Sequence, residues 1–120
     1  MRPEARDFLP LKDLVFRILV ALADGERHGW GLAQALDEPG AARTLPGHLY
    51  RTLDRMLEQG FIVERDHSSD PELRADKRGA APSRFFRLTP LGRDVARAET
   101  DRLAALVARS RSARLLGARK

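Results

Sequence analysis

Apolar side chains recur at helical spacing near the start of the chain. When each residue advances about 100°, one face of the segment from Leu11 to Ala23 collects Leu11, Leu14, Val15, Ile18, Leu19 and Leu22. This pattern predicts an amphipathic helix that ends at Asp24-Gly25, because glycine accepts the left-handed conformation past a helix end. A shorter helix is predicted from Gly29 to Asp37, before the turn residues Pro39-Gly40. Its core-facing positions are Trp30, Ala33 and Leu36.

A third amphipathic helix is predicted from Pro46 to Gln59. Proline suits the first helical turn, where its missing N–H is no loss, and Gly60 stands at the C-cap position. The buried face of this helix consists of Leu49, Leu53, Met56 and Leu57. The opposite face carries His48, Arg51 and Arg55, and Tyr50 lies on the flank.

The helical period ends at Gly60, and two short apolar segments follow. Phe61–Arg65 and Arg84–Leu88 are predicted strands, and the polar segment His67–Pro82 between them is predicted to be a long exposed loop. We expect the strands to pair as a hairpin around that loop. Thr89-Pro90 supplies an N-cap and a first helical residue for a final helix that extends to about Leu116.

Three helices, a two-stranded hairpin and a long final helix therefore follow one another. This is the chain order of a winged helix-turn-helix, a mainly α (α+β) fold, with an appended C-terminal helix. We expect residues 1–88 to form a DNA-binding domain and residues 89–120 to form a C-terminal dimerisation helix.

Composition narrows the class of partner. The 120 residues include 22 Lys and Arg against 17 Asp and Glu, a net charge of +5. Residues 1–60 carry 8 basic and 9 acidic residues, whereas residues 61–120 carry 14 and 8. Such an excess favours a polyanion, with nucleic acid the first candidate and an anionic membrane surface the second.

Several classes of protein are disfavoured by the same sequence. The absence of cysteine excludes disulfides, thiolate metal sites and thiol catalysis. No apolar run approaches the roughly 20 residues of a membrane span, and charged residues interrupt the N-terminal segment where a signal peptide would be apolar. We therefore expect a cytoplasmic protein with no membrane partner.

The cationic face of the third helix suits double-stranded DNA. Arginine binds guanine O6 and N7 bidentately in the major groove or clamps a phosphate, so Arg51 and Arg55 are candidate contacts, with His48 beside them. The hydroxyl of Tyr50 is a candidate for a backbone phosphate. The alternative is a solvated face on which the arginines pair with Asp54 or Glu58.

The predicted hairpin loop carries a second set of cations. Arg74, Lys77 and Arg78 lie in the loop, and Arg84 lies on the strand that follows it. A basic hairpin beside a recognition helix reaches adjacent phosphates or the minor groove. Three acidic residues dilute this charge, so a merely solvated loop is the alternative: Asp70, Glu72 and Asp76.

The final helix has more apolar positions than one small domain covers. We expect it to pack against the first helix and the final helix of a second copy, forming a homodimer. The expected interface consists of Leu11, Leu14, Leu91, Val95, Leu103, Leu106 and Val107. A two-fold pair of recognition helices would fit a palindromic site, whereas packing within one domain is the alternative.

The sequence offers little for catalysis or metal binding. The three histidines, His28, His48 and His67, lie on separate elements and form no metal-ligating pair. No nucleophile–base pair, phosphate-binding glycine loop or carboxylate dyad stands out, so we expect no catalytic residues, metal or cofactor. A winged-helix adaptor for protein partners and a non-specific DNA-binding protein remain the alternative functions.

One stretch of the chain resembles a known family. The segment from Leu45 to Leu57, LPGHLYRTLDRML, followed by Gly60-Phe61-Ile62, resembles the recognition-helix signature of PadR-family transcriptional regulators. The segments His28-Gly29-Trp30 and Asp70-Pro71-Glu72-Leu73 agree in order, as does Phe85–Gly92. The resemblance spans about residues 11–110.

The resemblance implies a dimeric transcription factor, usually a repressor, that binds a palindromic operator. It implies that Tyr50 and Arg51 contact DNA and that Pro46-Gly47 begin the recognition helix. His48 departs from the pattern, since a small hydroxyl residue usually stands there. A further expectation is that a small-molecule effector relieves repression. Some relatives bind effectors in a pocket between their last helices. That pocket is not carried over to this chain, because no aromatic residue follows Phe86.

Overall fold

The structure is a computed structural model that describes residues 4–37, 44–65 and 84–116. A short 3-10 turn, Ala5–Phe8, precedes the helix α1, Asp13–Leu22. The strand β1, Arg27–His28, leads into α2, Gly29–Ala35, and α3 spans Pro46–Gln59. The strands β2, Ile62–Arg65, and β3, Phe85–Leu88, precede α4, Pro90–Ser112. This mainly helical fold with a small antiparallel sheet confirms the predicted fold class.

The predicted bounds hold best where local capping residues fix them. The helix α3 begins at Pro46 and ends at Gln59 as predicted, and Gly60 caps it in the left-handed conformation with φ 81°. The helices α1, α2 and α4 are each shorter than predicted, by one to four residues at an end. The Trp30 side chain, which was expected to be buried, is not among the side chains that the structure describes. The predicted loop His67–Pro82 also lies outside the described residues.

The sheet has one more strand than the sequence predicted. The described strands are antiparallel in the order β1-β3-β2, with Arg27 opposite Phe86 and Val63 opposite Arg87. A strand of two residues shows no hydrophobic period, which is why the sequence pattern did not reveal β1. Its pairing places the start of α2 directly beside the β2–β3 hairpin.

The helices α1, α3 and α4 and the small sheet share one apolar core. Helix α1 contributes Ile18, Leu19 and Leu22, and α3 contributes Leu49, Leu53 and Met56. Phe61 comes from the bend before β2, Ile62 and Phe86 come from the sheet, and Val95 comes from α4. Because α3 buries these positions, its opposite side is turned outward.

A tight joint connects α3, β2 and α4. The Thr89 hydroxyl donates to the Gly60 carbonyl oxygen at 2.5 Å and accepts from the Gly92 N–H at 2.9 Å, which caps α4 as predicted. Gly92 is fully buried, and a Cβ on it would overlap the carbonyl oxygen of Phe61. Only glycine permits this approach of the two backbones, so the first turn of α4 is fixed against the end of α3.

A buried carboxylate joins the N-terminal segment to α4. Glu99 is 1% exposed, and its carboxylate accepts from the Leu11 backbone N–H at 2.9 Å and from Arg102 Nε at 2.5 Å. The hydrogen bond from Arg102 lowers the pKa of Glu99 despite its burial, and the Leu11 N–H acts in the same direction. The carboxylate is therefore held as an anion inside the protein. The sequence analysis missed this residue.

Candidate nucleic-acid interface

The outward side of α3 presents the predicted cations to solvent. Arg51, Arg55 and His48 are exposed, whereas Leu49 and Leu53 on the other side of the helix are fully buried. An α-helix fits the major groove of B-form DNA, where side chains that project from the helix meet the edges of the bases. The exposed side of α3 therefore presents two arginines that can bind base edges or phosphates, beside the exposed Asp54 and Glu58.

The two arginines of this face form no ion pair within the described part of the chain. Among the residues that the structure describes, no carboxylate pairs with Arg51 or Arg55. Asp54, the acidic neighbour on the same helix, instead accepts from Arg84 Nη2 at 2.8 Å. The solvated face of paired charges, which the sequence left open as an alternative, is absent from this part of the helix.

Gly47 shapes the position of Arg51. A Cβ at Gly47 would lie 3.3 Å from Arg51 Nη1, so the guanidinium folds back along the first turn of α3 over the glycine. A larger residue at this position would push the guanidinium outward. The sequence analysis placed Gly47 at the start of the helix but did not connect it with the arginine one turn later.

Arg84 is placed differently from the prediction that it contacts DNA. Its Nε and Nη2 donate to the Glu64 carboxylate at 2.9 and 3.0 Å, in addition to the bond with Asp54. The hydrogen bond to Glu64 is the main cause of the raised pKa of the Arg84 guanidinium, with Asp54 adding to it. In this structure, the guanidinium that was expected to face a phosphate donates to two carboxylates of the protein instead.

Tyr50 is also turned toward the protein. Its side chain is half-buried, and its hydroxyl lies so close to Gly29 that a Cβ there would overlap it. The Arg84 guanidinium carbon lies 5.7 Å from the centre of the Tyr50 ring. The tyrosine therefore packs at the junction of α2 and α3, and the expected contact of its hydroxyl with a backbone phosphate stays a prediction.

The remaining hairpin cations divide into two groups. Arg74, Lys77 and Arg78 lie outside the described residues, so their contact with DNA stays a prediction. On β2, Arg65 Nη1 donates to Glu26 at 2.6 Å, which ties the hairpin to the loop before β1. Arg87 on β3 is exposed. Arg65 thus connects β2 with the loop before β1, and Arg84 connects the hairpin with α3 through Asp54.

The residues expected at a dimer interface occupy three different environments. Leu11, Leu14 and Leu91 are half-buried and pack against the core, and Leu103 is half-buried further along α4. Val95 is fully buried within the core of one chain, so it is not available to a second copy. Leu106 and Val107 are 44% and 47% exposed. Among the predicted interface residues, the exposed ones therefore lie on the second half of α4.

Two surface cavities border these elements. One, of about 550 Å³, lies among α1, α2 and α4, and its lining combines apolar side chains such as Phe16, Val20 and Leu103 with the charged Asp13, Arg17, Asp24 and Arg27. The other, of about 610 Å³, lies between the N-terminal segment and the flank of α3. Its lining combines the apolar Phe8, Leu14, Val15, Met56 and Phe61 with the polar Lys12, His48 and Arg55.

In the part of the chain that the structure describes, no group of three or more His, Asp or Glu side chains is placed to hold a metal ion. Likewise, no helix in residues 4–37, 44–65 and 84–116 combines the length and the apolar character needed to cross a bilayer.

The fold defines the class of protein, a winged-helix protein whose helix α3 exposes two arginines. The model of the Transcriptional regulator PadR-like family matches residues 18–98. The chain belongs to this family, whose members are transcriptional regulators rather than enzymes.

Known proteins similar to this chain agree with that assignment. Transcriptional regulator Rv3488 of Mycobacterium tuberculosis is 38% identical over 76 residues, which cover 63% of this chain and 62% of the relative. The alignment thus spans about three fifths of the length of that curated relative.

Solved structures show the same fold at low sequence identity. A PadR family transcription regulator from Clostridium difficile R20291 has a TM-score of 0.68 at 15% identity, covering 84% of this chain and 97% of that one. Bacillus subtilis PadR, solved in complex with operator DNA, has a TM-score of 0.57 at 21% identity, covering 78% of this chain and 48% of that one. At these identities the likeness establishes the fold alone.

Proposed function

We propose that this chain is a homodimeric, sequence-specific DNA-binding regulator that acts as a repressor on a palindromic operator. The observation that carries the proposal is the exposed face of α3, where Arg51 and Arg55 project without acidic partners among the described residues. These guanidinium groups are free to donate two hydrogen bonds each to a guanine edge or to a phosphate. The operator complex of Bacillus subtilis PadR, a protein of the same fold, supports this use of the fold.

The proposed roles follow the placement of the side chains for the described residues, and the sequence pattern for the others. Arg51 and Arg55 contact base edges or phosphates from α3, with His48 beside them at the start of the helix. Arg74, Lys77 and Arg78 contact the backbone next to the major groove, as basic hairpin residues do in winged-helix proteins. Tyr50 and Arg84 support this surface from behind.

Dimerisation is proposed from the apolar side of α4. Leu106 and Val107 are about half exposed, and the cavity lined by Val20 and Leu103 lies beside them along α1 and α4. A second copy that packs its own α4 there would cover both features. Two α3 helices related by the two-fold axis would then enter successive major grooves about 10 base pairs apart.

Selection of bound duplexes from a random pool tests the proposal. We expect the purified protein to enrich one palindromic sequence and to prefer it to unrelated DNA by roughly 10³-fold or more. Arg51→Ala should weaken binding by roughly 1–3 kcal/mol and relax the preference at one symmetric pair of positions if it contacts a base. The matched control is Arg97→Ala, an exposed arginine on α4 that should leave the selected sequence and its affinity unchanged.

The same experiment separates the alternatives. Enrichment of no sequence, with tight binding to every duplex, would indicate a non-specific DNA-binding protein. The absence of binding at low salt would favour an adaptor that uses its winged helix for protein partners. Either result contradicts the proposed function.

We also propose that a small-molecule effector binds in the cavity between the N-terminal segment and α3. Lys12 and Arg55 border an apolar floor, while the nearby Asp13 is engaged by Arg17 at 2.7 Å, so the cavity favours an organic anion with an apolar body. An occupant would lie against His48 and Arg55 and so compete with DNA.

A panel of carboxylates with aliphatic or aromatic bodies tests the effector proposal. We expect one class to raise the melting temperature and to release the selected duplex, because a ligand that binds only the folded state stabilises it. Lys12→Glu should remove both effects, whereas Arg97→Glu should keep them. If no anion of the panel stabilises the protein, the effector proposal is wrong while the DNA-binding proposal stands.

A further inference from the structure

We infer that Arg84 is a positioning residue that sets the angle between the recognition helix α3 and the β2–β3 hairpin. The inference rests on the proposed DNA-binding function, since it assigns a role within that function. It replaces the direct DNA contact that the sequence suggested for this residue. In a winged helix, the recognition helix and the hairpin must contact DNA at the same time, so the angle between them decides whether both fit one duplex.

Four elements of the fold meet at Arg84. Its guanidinium connects Asp54 of α3, at 2.8 Å, with Glu64 of β2, at 2.9 and 3.0 Å. Its backbone carbonyl oxygen accepts from the Gly29 N–H at the start of α2, at 2.9 Å, and Arg84 itself directly precedes β3. Loss of the side chain would therefore disconnect the hairpin from α3 at a point close to the exposed face.

Two aromatic rings hold the guanidinium in this place. Its central carbon lies 5.7 Å from the centre of the Tyr50 ring and 5.2 Å from that of Phe86. A planar guanidinium donates to two carboxylates in fixed directions and packs over rings, whereas an ammonium is a compact charge that does neither well. Arginine is thus required here for its shape as well as for its charge.

The same contacts reduce the negative charge next to the proposed DNA surface. Asp54 follows Arg51 by three residues on α3, which places its carboxylate at the edge of the exposed face. An unpaired carboxylate there would repel the phosphates. Because Arg84 donates to both Asp54 and Glu64, its one positive charge offsets one of their two negative charges. The charges of Arg51 and Arg55 are then left to act on DNA.

The first test needs no DNA. Tyr50 is the single tyrosine of the chain, so its ring signals in a protein labelled at tyrosine report the Arg84 contact directly. We expect Arg84→Lys and Arg84→Ala to shift these signals alike in a protein that stays folded by thermal melting. The control Arg97→Lys, a substitution on α4, should leave the Tyr50 signals unchanged.

The second test compares affinities for the selected duplex over a range of salt concentrations. We expect Arg84→Lys, which keeps the charge, to weaken binding by about tenfold without changing the salt dependence. A direct phosphate contact predicts the opposite. Arg84→Lys would then bind nearly as the wild type, and Arg84→Ala would lower the slope of log K against log salt by about 0.9.

Asp54→Asn provides a variant in which Arg84 is retained. Removal of a negative charge beside DNA should tighten binding if simple attraction governs the surface. Because Asp54 anchors Arg84, we expect weaker binding instead. Tighter binding, together with unchanged Tyr50 signals in Arg84→Lys, would overturn the inference. A wild-type protein that selects no duplex would contradict the proposed function, while the Tyr50 signals would still test the contact itself.

Discussion

The backbone N–H of Leu11 donates a hydrogen bond to the carboxylate of Glu99, 88 residues further along the chain, at 2.9 Å. This contact fixes the segment before α1 against the middle of α4. It also positions the wall of the cavity that borders α3, because Phe8 and Lys12 belong to the same N-terminal segment. A single buried anion therefore connects the proposed effector cavity with the proposed dimerisation helix.

Replacement of Glu99 should destabilise the fold. Glu99→Gln keeps an acceptor for Leu11 but removes the charge that Arg102 pairs with at 2.5 Å, and we expect a loss of about 1–3 kcal/mol in the free energy of unfolding. Chemical denaturation measures this loss. Asp101→Asn, an exposed neutralisation on the same helix, is the control and should change stability by less than about 0.5 kcal/mol. Equal stability of the two variants would contradict a structural role for the buried anion.

The contribution of Glu99 should disappear in acid. Its pKa is lowered in the folded state, mainly by the hydrogen bond from Arg102, so the folded state binds a proton less readily than the unfolded state does. The stabilisation is therefore complete above the ordinary glutamate pKa of about 4.3 and is lost as pH falls through the lower, folded value. The difference in unfolding free energy between wild type and Glu99→Gln should shrink below that pH. A difference that stays constant down to acid pH would show that the charge of Glu99 is not its cause.

Gly92 should tolerate no side chain. A Cβ there would overlap the Phe61 carbonyl oxygen, which already accepts from the Thr89 N–H at 3.1 Å. Because backbone atoms cannot move aside as a flexible side chain does, Gly92→Ala should cost about 1–3 kcal/mol or more. Thermal or denaturant unfolding checks this against Asp94→Ala, an exposed site two residues later. Unchanged stability would mean that α4 can shift away from β2 freely.

Gly47 should behave differently, because its close neighbour is a side chain. Gly47→Ala should leave the free energy of unfolding unchanged or raise it by up to about 1 kcal/mol, since alanine favours the helix. The added methyl group displaces Arg51 Nη1, which lies 3.3 Å away, so affinity for the selected duplex should fall by up to about tenfold. Unfolding and titration of the same preparation separate the two effects. Unaltered affinity would show that this orientation of Arg51 is irrelevant to binding.

The exposed apolar side of α4 should control assembly. Leu106→Glu combined with Val107→Glu places two charges in the proposed interface, and we expect a dimer to become a monomer with weakened binding to the palindromic duplex. Ala105→Glu is the control, because helical geometry puts Ala105 on the opposite side of α4. Sedimentation analysis gives the mass of each species. A wild-type protein that sediments as a monomer would contradict the proposed assembly.

Local signals in the sequence determined how much of the fold could be predicted. Pro46 and Gly60 mark the ends of α3, and Thr89-Pro90 marks the start of α4, because capping depends on residues within one turn of the helix. The exposed face of α3 follows directly from its apolar period. These features needed no knowledge of the rest of the chain.

Contacts between distant residues could not be predicted in the same way. Arg84 pairs with carboxylates 20 and 30 residues away, and nothing in its spacing separates a bridge between elements from a phosphate contact. In the sequence, Glu99 looks like an exposed glutamate on a helix. Only the tertiary structure shows that the N-terminal segment covers it. Val95 was assigned to an interface because its apolar period does not tell whether its own chain or a second copy covers it.

The joint at Thr89 leaves no adjustable linker between α3 and α4. In the proposed homodimer, the contact between two α4 helices would therefore fix how far apart, and at what rotation, the two α3 helices stand. Substitutions on the outward side of α3 would change which bases are preferred, and substitutions along α4 would change the number of base pairs that separates the operator halves. The preferred operator sequence would thus depend on α3, and the spacing of the operator halves would depend on α4. Either property could change in evolution while the other is conserved.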